Sequence, residues 1–169
     1  NADGTLDTGV GPVSDLWWEG AAVVQAEGRS LEVVYTFPDG QLRAGIARRN
    51  TDGTLDANFN PEVAGAVGAL AVQADGKILV GGDFTALAGQ ERNGIGRLNA
   101  DGTLDNTFNP GANPASVFSL AVQADGKILV AGGFGFLGPD GVGCFFIGRL
   151  NNTEAATQSL TFDGSTITW

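Results

Sequence analysis

The stretch Asn99-Ala-Asp-Gly-Thr-Leu-Asp105 decides the architecture, because it also stands at Asn1–Asp7 and, as NTDGTLD, at Asn50–Asp56. The spacings are 49 and 49 residues, and Asn151 marks the next register point 52 residues on. A fixed period of this size means copies of one small unit stacked together. Two more signals travel with it: VQAEG at Val24–Gly28 returns as VQADGK at Val72–Lys77 and Val122–Lys127, and GIARRN, NGIGRLN and FIGRLN end the units. The second and third units also share FNP, at Phe59–Pro61 and Phe108–Pro110, and a KILV strand followed by glycines. The first unit is degenerate, with Val10 for the Phe, Glu27 for the Asp and LEVVYTF for the glycine run. Four segments follow: 1–49, 50–98, 99–150 and a terminal hairpin at 151–169.

Asn-Ala-Asp-Gly suits a type I turn followed by a glycine bulge, closing a three-residue hairpin loop. The Asn99 side chain caps the turn, and Gly102 takes the left-handed conformation that a side chain opposes. Gly53, Gly76 and Gly126 fill the same place in the sister loops. In the middle unit the strands are predicted near 66–73, 77–83, 94–99 and 103–108, the size of one four-stranded propeller blade. With Gly102 as the bulge, Asn99 faces Thr103, Leu98 faces Leu104 and Arg97 faces Asp105; Arg48 and Asp56 repeat the relation. A cross-strand ion pair contributes roughly 0.2–1 kcal/mol, so the pairs set register more than stability. Arg149 lacks the following Asp, and Asp7 lacks the preceding Arg. The fold class is therefore all-β, with antiparallel four-stranded blades of propeller type, about three in number.

Composition agrees. Glycine supplies 27 of 169 residues against a usual share of roughly 7%, without a collagen period, which fits many tight turns. The glycine pairs Gly81-Gly82 and Gly132-Gly133 end buried central strands where backbones approach closely. Nine basic and nineteen acidic residues give a formal charge of −10, too acidic for a nucleic-acid surface. The absence of histidine and the single cysteine remove histidine catalysis, His or multi-Cys zinc sites and an internal disulfide. Cys144 reads as a buried, inert thiol. No apolar run is long enough to span a bilayer. Gly76-Lys77 and Gly126-Lys127 precede Ile rather than Ser or Thr, which argues against a phosphate-binding loop. Low lysine, one cysteine and an Asn/Asp/Gly/Thr-rich acidic composition point to a bacterial cell surface, exterior or periplasm. Methionine is absent, also at position 1, so the chain is expected to be a mature or trimmed piece.

The combination of RLN-ADG-TLD-x-x-F-N-P, VQADGKILVGGDF and NGIGRLN resembles the delta-60 repeat family of large bacterial proteins, closely over 50–151 and loosely over 1–49. The resemblance implies a β-propeller scaffold of envelope or secreted proteins and brings no catalytic residues. The period is shorter than that family's name suggests.

Three blades do not close a ring, since propellers use about four to eight. Open blades leave edges and apolar faces that favour association. A homo-oligomer, or the remainder of a larger chain, is therefore the expected partner, with residues 1–10 of one copy bringing Asp7 towards Arg149 of another. The tail 151–169 either completes the last blade or begins a further domain. Oxygen donors at odd spacing, Asn50, Asp52 and Asp56 and again Asn99, Asp101 and Asp105, resemble calcium loops. The simpler reading is that they hold the turns and pair with Arg48 and Arg97, so no cofactor is expected unless it is calcium. Trp17 and Trp18 offer a sugar-stacking platform on whichever ring is exposed. Paired carboxylates for glycoside hydrolysis would have to face one cleft, and here the acids follow no shared repeat position. The leading expectation is a non-catalytic, extracellular repeat scaffold for assembly or protein–protein contact, with a carbohydrate-binding propeller domain as the alternative.

Overall fold

A computed structural model describes residues 19–36, 43–138, 142–143, 145–152, 161–162 and 167–168. The described residues form β-strands and no helix: β1 (Glu19–Val24), β2 (Ser30–Thr36), β3 (Arg43–Arg49), β4 (Glu62–Val72), β5 (Ile78–Leu87), β6 (Gln90–Glu91), β7 (Ile95–Leu98), β8 (Ala112–Asn113), β9 (Val117–Val122), β10 (Ile128–Gly132), β11 (Phe136–Leu137), β12 (Val142–Gly143), β13 (Ile147–Leu150), β14 (Thr161–Phe162) and β15 (Ile167–Thr168). All named pairings are antiparallel: β1 to β7 form one seven-stranded sheet, β9-β10-β13 and β8-β11-β12 form three-stranded sheets and β14-β15 a two-stranded one, and within them the groups β1-β2-β3, β4-β5-β7 and β9-β10-β13 repeat as the sheets of the three units.

The local chemistry of the loops explains the hairpins. The Gly76 amide donates to the Gln73 carbonyl (2.9 Å), and the Gln73 amide donates to that of Lys77 (2.8 Å). Gly102 and Asn99 make the same closure, with Gly102 at φ +92°. Asp75 and Asp101 accept from the amides of Lys77 and Thr103 and so lock the turns. In the first two units the fourth segment pairs through a single bridge, Arg49 with Leu55 and Leu98 with Leu104, rather than as the strand expected at 103–108. Asp105 is the cause. Its Oδ1 accepts the Thr107 amide (2.9 Å), which turns the chain out of the ladder after one residue. The segments Asn50–Asp56 and Asn99–Asp105 therefore each close the sheet that precedes them.

The first two sheets are joined by Ala44 opposite Val63, and the Ala112 amide donates to the Asn93 carbonyl at the next joint. The middle sheet is buried on both faces, which is why Ile78–Gly82 can be continuously apolar. Its leading face, with Ile78, Val80 and Leu98, packs against Leu31, Val33 and Ile46 of the first unit. Its trailing face, with Leu79 and Ile95, packs against Val117, Ile128 and Val130 of the third.

Pairing sets the register of the glycine pairs. Gly82 lies opposite Val67 and Gly132 opposite Val117, so Gly81 corresponds to Ala131 and the two glycine pairs are one residue out of step. The close approach is real at the equivalent pair. A Cβ on Gly82 would lie 2.1 Å from the Ala66 carbonyl oxygen, and one on Gly132 1.9 Å from that of Ser116. The tail strands β14 and β15 pair with each other, Phe162 opposite Ile167, in a separate two-stranded sheet.

Candidate functional site

Each repeat arginine is a latch between elements. On β7, Arg97 is 2% exposed, with its Nε 2.8 Å from Asp105 Oδ2. Its Nη1 donates forward to Asn152 Oδ1 (2.9 Å), and its guanidinium lies 4.6 Å from the centre of the Phe108 ring. On β3, Arg48 donates through Nε and Nη2 to Asp56 Oδ2 (3.0 and 2.6 Å), and its Nη1 donates forward to the Ala100 carbonyl (2.6 Å). Phe59 covers it at 4.4 Å. One cation thus ties a strand, the segment that closes it, an aromatic ring and the next unit's loop, combining charge-assisted and cation–π attraction. The rings and the forward contacts are absent from the sequence reading. The common interval from Arg48 to Phe59 and from Arg97 to Phe108 is the signal that points to them.

The candidate calcium ligands are engaged in these hairpins. Asn50 and Asn99 donate through Nδ2 to the hydroxyls of Thr54 and Thr103. Asp52 and Asp101 each accept the hydroxyl and the amide of Thr54 or Thr103, and these bonds lower their pKa. Asp56 is lowered mainly by its hydrogen bond from Arg48. For Asp105, burial raises the pKa, but the Thr107 hydroxyl and amide, Lys77 and Arg97 together outweigh it and hold the carboxyl well below the usual range. Among the described residues, no three His, Cys, Asp or Glu side chains converge as a metal site. The turn glycines Gly53, Gly76, Gly102 and Gly126 all have φ between +79° and +92°. Trp17, Trp18, Asn1–Asp7 and Cys144 lie outside the described residues. An open cleft of about 400 Å³ runs between the FNP element and the next hairpin, lined by Asn58, Asn60, Glu62, Asp101 and Thr103 among others.

The third unit departs from the pattern. Register places Ala121, Leu129, Ala131, Ile147 and Arg149 where the middle unit has Ala71, Leu79, Gly81, Ile95 and Arg97. The middle set is buried, whereas Ile147 is 62% exposed and Ala121 and Arg149 are also exposed. Phe118, Phe145 and Phe146 are 68%, 71% and 70% exposed. Phe146 adopts φ +69°, a left-handed conformation unusual for a bulky residue. In sequence, Thr157 and Leu160 stand where Asp105 and Phe108 serve Arg97. Gln123 Oε1 is buried without a donor, while its counterpart Gln73 Oε1 accepts from Arg97.

Compared with known families, residues 33–59, 73–108 and 123–153 match a family described as a domain of unknown function (DUF5122) beta-propeller. No curated protein and no solved structure matches the chain. The three matched segments fall on successive repeats and together cover more than half of the sequence, so the chain belongs to the DUF5122 beta-propeller family.

Proposed function

We propose that this chain is a non-catalytic, exported repeat scaffold that works by assembly, in keeping with its resemblance to the delta-60 repeats. The observation that carries the reading is the trailing face of the third sheet. Ile147 and Phe146 stand where the middle unit buries Ile95 and Gly94, and both are solvent-facing here, with Phe118 and Phe145 also exposed. Contiguous apolar surface of this kind marks contact sites. The acidic composition, with charge −10, favours solubility of a scaffold that exposes such a face. Sedimentation of the full chain over a concentration series tests it. Reversible association that Phe118→Ser with Ile147→Ser abolishes is expected, and a single copy at every concentration would contradict it.

A second reading, carbohydrate binding, draws on the cleft beside Asp101, whose amide and carboxylate groups suit sugar hydroxyls. A glycan array separates the two. Specific binding lost in Asp101→Ala and Asn60→Ala supports the second reading, and uniform absence of binding removes it.

A further inference from the structure

We infer that the third sheet is a strand acceptor: the edge of β13, with Arg149 reading the sequence, takes an extended segment of pattern Thr-Leu-Asp-x-x-Phe from another repeat unit. This rests on the assembly reading above only for the donor being a repeat, and it moves the contact from the face of the third sheet to its edge.

Two units show what such a segment does. Along β7 the Leu98–Leu104 bridge and the Asp105 amide, which donates to the Arg97 carbonyl at 2.9 Å, satisfy the strand edge. The Asp105 carboxylate then gathers two cations, with Arg97 Nε at 2.8 Å and Lys77 Nζ at 3.1 Å. Three residues on, the Phe108 ring covers the guanidinium. Leu55, Asp56 and Phe59 close β3 in the same way, the Asp56 amide donating to the Arg48 carbonyl at 2.8 Å. One pattern, an aspartate and a phenylalanine at fixed spacing, is thus matched twice to one arginine.

The third unit keeps the acceptor and changes the donor. Leu129 lies opposite Arg149 and Ile128 opposite Leu150, as Leu79 lies opposite Arg97 and Ile78 opposite Leu98, so Arg149 and Lys127 stand where Arg97 and Lys77 stand. The chain that follows carries Thr157 and Leu160 at the places of Asp105 and Phe108, with neither the charge nor the ring. Among the described residues β13 is the edge of its sheet, and Arg149 is exposed with no hydrogen-bond or ion-pair partner. Lys127 Nζ turns back to Asp125, whereas Lys77 Nζ reaches Asp105. Leu150 is half-buried where Leu98 is fully buried. An edge strand offers unpaired amides and carbonyls that any strand can use, so selectivity must come from side chains. Asp125 offsets one of the two cations, which leaves charge for one incoming carboxylate. The flat guanidinium favours a bidentate carboxylate and an aromatic cover over it. Donors of this kind belong to the repeat itself, since Thr-Leu-Asp stands at Thr5–Asp7, Thr54–Asp56 and Thr103–Asp105, the last two followed by Phe59 and Phe108.

The probe is a peptide of Thr103–Pro110, titrated to millimolar concentration into nitrogen-15-labelled full chain and followed by NMR. Saturable shifts centred on Ile147–Leu150 and on the Arg149 Nε–H are expected. Asp105→Asn in the peptide, or Arg149→Ala in the chain, should each weaken binding at least tenfold, and the two losses should not add, because either one removes the same contact. Arg149 is exposed and unpaired among the described residues, so its variants should keep the wild-type far-ultraviolet spectrum. Arg149→Asp should recover affinity for the peptide carrying Asp105→Arg. Absence of saturable shifts, or affinity indifferent to both the peptide's Asp105 and Arg149, would overturn the inference. Sedimentation of the wild-type chain keeps the two readings apart: association that persists without peptide binding leaves the assembly reading standing, and peptide binding without association sinks that reading alone.

Discussion

Arg97 and Arg48 occupy one repeat position and differ in burial, which sets what each pair contributes. Side-chain exposure is 2% and 5% for Arg97 and Asp105, against 9% and 16% for Arg48 and Asp56. Removing one member of a buried pair strands the other, so Asp105→Ala should destabilise the fold by about 3–5 kcal/mol in urea unfolding. Asp56→Ala should cost much less, because Arg48 keeps the Ala100 carbonyl and contact with solvent. Replacing Arg97 and Asp105 together by Met and Val should recover most of the loss. The same pair fixes an acid dependence. Asp105 titrates lower folded than unfolded, so its ionisation stabilises the fold above the unfolded pKa of about 3.9 and loses that effect as pH falls towards the folded value. Wild type should therefore lose stability steadily from roughly pH 4 to pH 2, and Asp105→Asn should show a shallower slope there. An identical slope in both would refute this assignment. Phe146→Gly relieves left-handed strain and should hold or raise stability by up to about 1 kcal/mol while weakening association.

At the scale of elements, two glycines with similar backbones separate strain from collision. Gly53, at φ +82°, has open space around a would-be Cβ, whereas at Gly102 that Cβ would lie 2.9 Å from the Phe59 ring. Gly53→Ala should cost about 1–2 kcal/mol, the left-handed penalty alone. Gly102→Ala should cost more, because Phe59 must also move off Arg48; equal costs would argue against the ring's latch role. The hairpin register was legible in sequence because Asn, Asp and Gly at fixed offsets admit few turn geometries, and Arg97 does lie across from Asp105. The length of the fourth strand was not, because Asp105 serves the ladder and an Asx turn at once. The glycine offset was legible too, because counting from KILV sets Gly82 with Gly132 and Gly81 with Ala131, and both units share the bulge at that step. NGIGRLN set against FFIGRLN already places Phe146 at Gly94, and the hydrogen bonds agree, Gly82 donating to Gly94 as Gly132 does to Phe146; a left-handed backbone under a phenylalanine was not legible.

For the whole molecule, stability follows from how many faces a sheet buries. Among the described residues the middle sheet is covered on both sides and its neighbours on one, so repeat energetics make it the last to open. Amides of Ile78–Gly82 should exchange more slowly than those of Leu31–Val34 or Leu129–Ala131. On the assembly proposal, copies meet at the exposed Phe118, Phe146 and Ile147 of the third sheet. Hydrogen exchange of the wild-type chain at low and high protein concentration tests that claim most directly. The account predicts protection that rises with concentration over 117–122 and 145–150 and stays unchanged over Ser30–Val34. Protection independent of concentration, or rising first at Ser30–Val34, would contradict it.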